Sequence, residues 1–132
     1  MLLALSQKFE CYCSSLNGPV IFRTSPADDG AAHVEYNGTA YHYVSTERGR
    51  ENERRIATEE DEILYWLLSD IVFDLSCSFE VKHRVNGQSF RRLLFAKELE
   101  LMRSLRPEWE MRKRSEINAI LAKAPYDDVA EG

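Results

Sequence analysis

The sequence predicts an α+β fold, with an N-terminal helix and a small antiparallel meander sheet followed by three C-terminal helices packed on it. Three observations carry that expectation. Short β-branched and aromatic runs crowd the first half around Asn37-Gly38; from Ile63 onward apolar residues recur at helical spacing; and Asn86-Gly87 and Pro107 divide the helical half into three.

Leu2, Leu5, Phe9, Tyr12, Cys13 and Leu16 recur at spacings of three and four, which predicts a helix over residues 1–16 closed by Asn17-Gly18-Pro19. Val20 to Thr24 reads as an edge strand stopped by Ser25-Pro26, and Ala27 to Ala31 as a loop turning at Asp28-Asp29-Gly30. Asn37-Gly38 supplies the positive φ angles of a two-residue hairpin between His33–Tyr36 and Thr39–Val44, so that His33 pairs with His42 across it. The polar stretch from Ser45 offers a second turn at Gly49 or Asn52 before a strand at Glu53 to Ala57, which completes a four-strand meander.

Thr58 and the acidic run Glu59-Glu60-Asp61-Glu62 mark a helix start, a hydroxyl capping free N–H groups and carboxylates meeting the positive end of the helix dipole. Between Ile63 and Val85 apolar residues occupy most faces, the pattern of a central helix buried on more than one side. Gly87 ends it, and Ser89 caps a second helix whose inner face carries Phe90, Leu94, Leu101 and Leu105. Pro107 opens a third, with Trp109, Ile117, Ile120, Leu121 and Ala124 inward. No repeat or linker interrupts the pattern, so residues 1–132 are expected to form one domain.

With 44% hydrophobic and 30% charged residues the composition is that of a globular protein. The longest apolar run, Ile63 to Leu68, is far short of the ~20 residues that cross a bilayer. Met1 to Leu5 is too short for a secretion signal, and Cys11, Cys13 and Cys77 form an odd set; both favour a reducing, cytoplasmic setting. The net charge of -5 sits in residues 1–62, which hold six Lys/Arg against eleven Asp/Glu. That balance gives no reason to expect a nucleic-acid backbone as partner and favours a basic protein instead.

No motif announces catalysis: there is no Gly-x-Ser-x-Gly elbow, phosphate loop or His-Glu-x-x-His, and Cys11-Tyr12-Cys13 lacks the further ligands zinc requires. No cofactor or metal is expected. Asp70 and Asp74, four apart on one helical face, could with a histidine serve a small metal-dependent hydrolase, the alternative reading; the simpler one makes them structural or surface groups. Glu80 and Arg84 are spaced for an ion pair, and Arg91-Arg92 falls where the chain doubles back, so the four are expected to form one structural charge network. Glu59, Glu60, Asp61 and Glu62, with Tyr41 and Tyr43, are the candidate partner-binding residues, although a tyrosine stripe of this kind more often packs beneath the helices.

Several segments together resemble the bacterial immunity protein 63 family of polymorphic toxin systems. They are Tyr41-His42-Tyr43-Val44-Ser45-Thr46-Glu47-Arg48-Gly49, Asp61-Glu62-Ile63-Leu64-Tyr65-Trp66, His83-Arg84, Phe90-Arg91-Arg92-Leu93-Leu94-Phe95, the helix through Leu99 and Leu101, and Pro125-Tyr126-Asp127-Asp128. Residues 1–35 carry none of it. The resemblance implies a cytosolic, non-enzymatic protein that binds the toxin encoded beside it and blocks it by occlusion. A basic toxin domain such as a nuclease suits the charge; direct nucleic-acid binding and membrane association are not implied.

Overall fold

The computed structural model describes residues 2–18 and 21–132. The elements run in the order helix α1 (Leu2–Ser15), strands β1 (Asp29–Tyr36), β2 (Tyr41–Glu47) and β3 (Arg50–Ala57), then helices α2 (Glu60–Lys82), α3 (Phe90–Leu105), α4 (Pro107–Lys123) and the single turn α5 (Asp128–Glu131). This is the expected α+β order. The chain divides into two compact units, residues 1–71 and 72–132, with α2 running from one into the other. Among the described residues no helix is long and apolar enough to cross a membrane.

In the first unit α1 buries Leu5, Phe9 and Cys13. It closes as the sequence predicts: Asn17 takes the left-handed conformation at φ 54, while the Asn17 and Gly18 N–H groups donate to the carbonyls of Ser14 and Cys13. That pair of bonds satisfies carbonyls the helix would leave bare.

The sheet has three described strands in the order β1-β2-β3, not four. Residues 21–24 of the expected edge strand form no strand, and Val20 lies outside the described residues. The Phe22 ring instead packs on Phe9 with centroids 5.8 Å apart, and the Arg23 carbonyl accepts from the Val34 N–H. The segment meets α1 through Phe22 without joining the ladder.

The hairpin register also differs. Tyr36 pairs with Tyr41, Glu35 with His42 and His33 with Val44, so the loop is four residues long and the two histidines are not opposite one another. The Asn37 side chain accepts from the Thr39 and Ala40 N–H groups, which widens the turn and leaves Gly38 alone with a positive φ; a two-residue turn of the expected kind needs two in succession. That tighter geometry occurs at Arg48-Gly49, φ 53 and 76, between the paired Glu47 and Arg50. A bulge at Asn52 absorbs the register shift in β3.

The first half of α2 buries Ile63, Leu64, Tyr65, Leu67 and Leu68. The helix ends at Lys82, short of the expected Val85, where the His83 ring Nδ1–H bonds the Phe79 carbonyl at 2.9 Å and the ring stacks on Phe79.

In the second unit Leu94, Phe95 and Ile117 form a cluster joined by Cys77, Leu99, Leu121 and Tyr126. Phe90 and Ile120, expected inside, are 42% and 46% exposed. Ser89 caps α3 as predicted, and Pro107 begins α4.

A C-terminal clasp completes this unit. The Asp128 carboxylate accepts from the Ser89 N–H at 2.6 Å and from the Arg92 guanidinium at 3.0 Å. Arg91 donates to the carbonyls of Ala124 and Pro125 and pairs with Glu131, and the Arg92 guanidinium lies 4.2 Å from the Tyr126 ring centre. Arg92 and Ser89 hold the Asp128 carboxyl below its usual range, and Ser89 and Arg91 do the same for Glu131.

Lowered carboxylate pKa values stabilise the fold above the unfolded value and lose that contribution as pH falls through the folded one. Acid titration should therefore unfold this unit progressively below about pH 4, and Asp128→Asn should flatten that dependence while lowering the neutral-pH midpoint, as followed by circular dichroism. Glu98 has the opposite sign: it is 5% exposed, and burial raises its pKa against the opposing charge of Lys113. Its contribution is present at low pH and lost as pH rises through the raised value. Glu98→Gln should raise the neutral-pH melting midpoint by roughly 2–4 °C.

Candidate functional site

The acidic run stands at the N-terminal end of α2. Glu60, Asp61 and Glu62 occupy the first turn, and the Glu59 carbonyl accepts from the Glu62 N–H. Carboxylates here complement the positive end of the helix dipole, which explains why four can stand in sequence. Their surroundings divide them. Lys8 of α1 donates to Glu60, and the Tyr41 hydroxyl shares the same carboxylate; burial first and then the Glu60 charge raise the tyrosine pKa. Glu60 therefore ties α1, β2 and α2 together. Glu59 and Asp61 stand exposed on either side of it.

The tyrosines have a different place. Tyr41 and Tyr43 are 7% and 5% exposed, so their rings are packing groups of the first unit and present almost no surface. The Tyr43 hydroxyl donates to Asp70 at 2.5 Å, with the ring edge-on to Trp66 at 6.1 Å. The Arg55 guanidinium lies over both, 4.3 Å from the Tyr43 centre and 5.1 Å from that of Trp66. Burial, then the bond to Asp70, pushes the Tyr43 pKa far above the ordinary tyrosine value. One member of the expected carboxylate pair is thereby engaged in holding β2 to α2.

Opposite face residues of the sheet form a second polar group that the sequence reading did not assemble. His33 Nε2 meets Glu35 at 2.8 Å, and Arg54 bonds Glu35 at 3.1 Å, Glu51 at 2.7 Å and His42 Nδ1 at 2.7 Å. As the guanidinium can only donate, His42 Nδ1 is the acceptor of that bond. His33 lowers the Glu35 pKa most, followed by Arg54. Arg54 is the hub, and the strand register reveals it: Glu35 lies opposite His42, His42 opposite Ile56, and Val44 opposite Arg54. Ile56, 59% exposed, shares this face.

The expected four-member charge network separates into two. Glu80 is 4% exposed and takes two bonds from Arg84, at 2.8 and 3.0 Å. Arg91 and Arg92 turn to the C-terminal clasp. The helix end at Lys82 divides the four residues between a pair joining Glu80 in the last turn of α2 to Arg84 just beyond it and a clasp that the Arg91-Arg92 spacing alone does not foretell.

Among the described residues no three His, Cys, Asp or Glu side chains come together in a way that could hold a metal ion. Burial pushes the Cys13 thiol up to about 11 and raises Cys77 as well, opposite to the activated direction of a nucleophile. The perturbed groups lie in packing contacts and paired surface networks, and a partner can reach Glu59, Asp61 and the Glu35–Arg54 face without opening the fold.

The family described as Immunity protein 63 matches residues 37–119, more than half of the chain. The match begins in the β1–β2 loop and extends into α4, leaving out Pro125 to Asp128 of the clasp. No curated protein and no solved structure matches the chain.

Tyr43→Phe should lower unfolding stability by about 1 kcal/mol, measured in urea, because a hydrogen bond is lost while Asp70 regains water. An unchanged midpoint would show that the Tyr43–Asp70 bond does not brace the unit.

Proposed function

Because the chain belongs to the Immunity protein 63 family, we propose that it binds the toxin encoded with it and neutralises it by non-covalent occlusion in the cytoplasm of the producing bacterium. Family membership is the observation that carries this reading. The surface supports it in a second way. Paired networks such as Arg54 with Glu35 and Glu51 hold side chains in place before a partner arrives, which lowers the entropy lost on docking.

The charge of the first unit favours a basic toxin, a nuclease for instance. Its Glu59 and Asp61 carboxylates are the contact groups we assign, with Glu60 serving as a structural tie through Lys8 and Tyr41. Exposed charges of this kind act chiefly on the association rate, since they steer the encounter before any contact is desolvated. We assign no catalytic residue: the hydrolase alternative rests on Asp70, Asp74 and a histidine, and no observation supports that set. Asp70 serves Tyr43, and the His83 ring is committed to the Phe79 carbonyl.

Co-expression with the neighbouring toxin domain should restore growth of cells that the toxin alone kills. Glu59→Lys with Asp61→Lys should slow association with that domain by about tenfold at low ionic strength, and the difference should shrink as salt is added. Stopped-flow binding measures both. An unchanged association rate would remove the acidic run from the interface, and failure of co-expression to protect would remove the family-based function itself.

A further inference from the structure

On the α2 helix Phe73, Asp74, Ser78, Val81 and Lys82 take part in none of the preceding roles, and Cys77 between them is only partly covered by the Leu94 cluster. Beyond residue 71 the buried positions of the helix are Val72, Ser76 and Glu80, while Phe73, Asp74, Ser78, Val81 and Lys82 are exposed. Phe73, near the middle of the 23-residue helix, is 48% exposed, and Val81, in its last turn, is 65% exposed. These residues fall into two parallel rows at i, i+4 spacing. Phe73, Cys77 and Val81 form an apolar row, and Asp74, Ser78 and Lys82 a polar one. Cys77, Ser78, Val81 and Lys82 line a shallow depression between them.

The polar row reads the same in both directions once charge sign is exchanged. Asp74 and Lys82 each lie four residues from Ser78, ~6 Å along the helix axis, and neither makes an ion pair among the described residues. We propose that this face is the seat of a second copy of the chain, docked antiparallel about a two-fold axis at Ser78.

The axis brings Asp74 of each copy opposite Lys82 of the other, forming both ion pairs with one operation, as a self-complementary interface requires. The apolar row interlocks under the same operation. Val81 stands ~4.5 Å from the axis on one side, and Phe73 and Cys77 ~7.5 and ~1.5 Å on the other. Each Val81 thus arrives midway between the Phe73 and Cys77 of its neighbour, a ridge entering a groove. Ser78, small and central, lets the helices approach. A basic partner would find no net attraction on a face with one carboxylate and one ammonium, which favours a second copy over the toxin here.

Sedimentation equilibrium of the full chain across a concentration series should show reversible dimerisation. Val81→Glu should abolish it. Asp74→Lys, which sets like charges opposite one another at both pairs, should weaken it about tenfold, and adding Lys82→Asp should restore it. In a background with Cys11→Ser and Cys77→Ser, Ser78→Cys should oxidise to a disulfide-linked dimer, while Met111→Cys on α4 should not; this arm stands even if a charge variant fails to fold. A chain monomeric at every concentration with no Ser78→Cys cross-link would overturn the proposal, as would a dimer indifferent to Val81→Glu and Asp74→Lys. A monomer whose toxin capture is lost in Val81→Glu would overturn it too, by giving the face to the toxin.

Discussion

The constraint on which the rest depends is that α2 is apolar around most of its circumference and must be buried on different faces along its length. In the first unit Ile63, Leu64, Tyr65, Leu67 and Leu68 are all buried. Beyond residue 71 the buried set becomes Val72, Ser76 and Glu80, a stripe at i, i+4 spacing that leaves the opposite side open. The apolar area that this helix removes from water is a main favourable term for each unit. The polar contacts along it then fix position. Lys8 with Tyr41 on Glu60, Tyr43 on Asp70 and Arg55 over Trp66 each bind α2 to a neighbour at a defined height.

What the sequence made legible follows from local chemistry. The Asn17-Gly18 closure of α1, the carboxylates at the start of α2, the Ser89 cap and Pro107 at the head of α4 are all decided within four or five residues, so the sequence states them directly. Errors arose where a side-chain contact competes with the backbone pattern, whether next door or far along the chain. Asn37-Gly38 reads as a two-residue turn until the Asn37 side chain takes the Thr39 and Ala40 N–H groups. Val20 to Thr24 has strand composition, yet Phe22 is claimed by Phe9. The C-terminal clasp joins Ser89 to Asp128, 39 positions apart, and no periodicity reports such a pairing.

The candidate site was legible in the same partial way. The acidic run is visible as a run, but which carboxylate is structural depends on Lys8 and Tyr41, which lie far away in sequence. The tyrosines of β2 alternate as binding anchors do, and alternation alone does not say which face is covered; their burial does. Arg54 was hidden inside Arg-Glu-rich β3 and emerges only when register places it beside Glu35 and His42. Charge-dense strands such as β3 also keep an exposed sheet edge from pairing with other chains.

An immunity protein that works by occlusion differs from an enzyme in stoichiometry. Toxin activity titrated with this protein should fall linearly to an end point at one chain per toxin active site, without time dependence after mixing, and should return in full when the two are separated under denaturing conditions and the toxin is refolded. Progressive loss of toxin activity at substoichiometric protein, or a toxin left chemically altered after separation, would contradict the account.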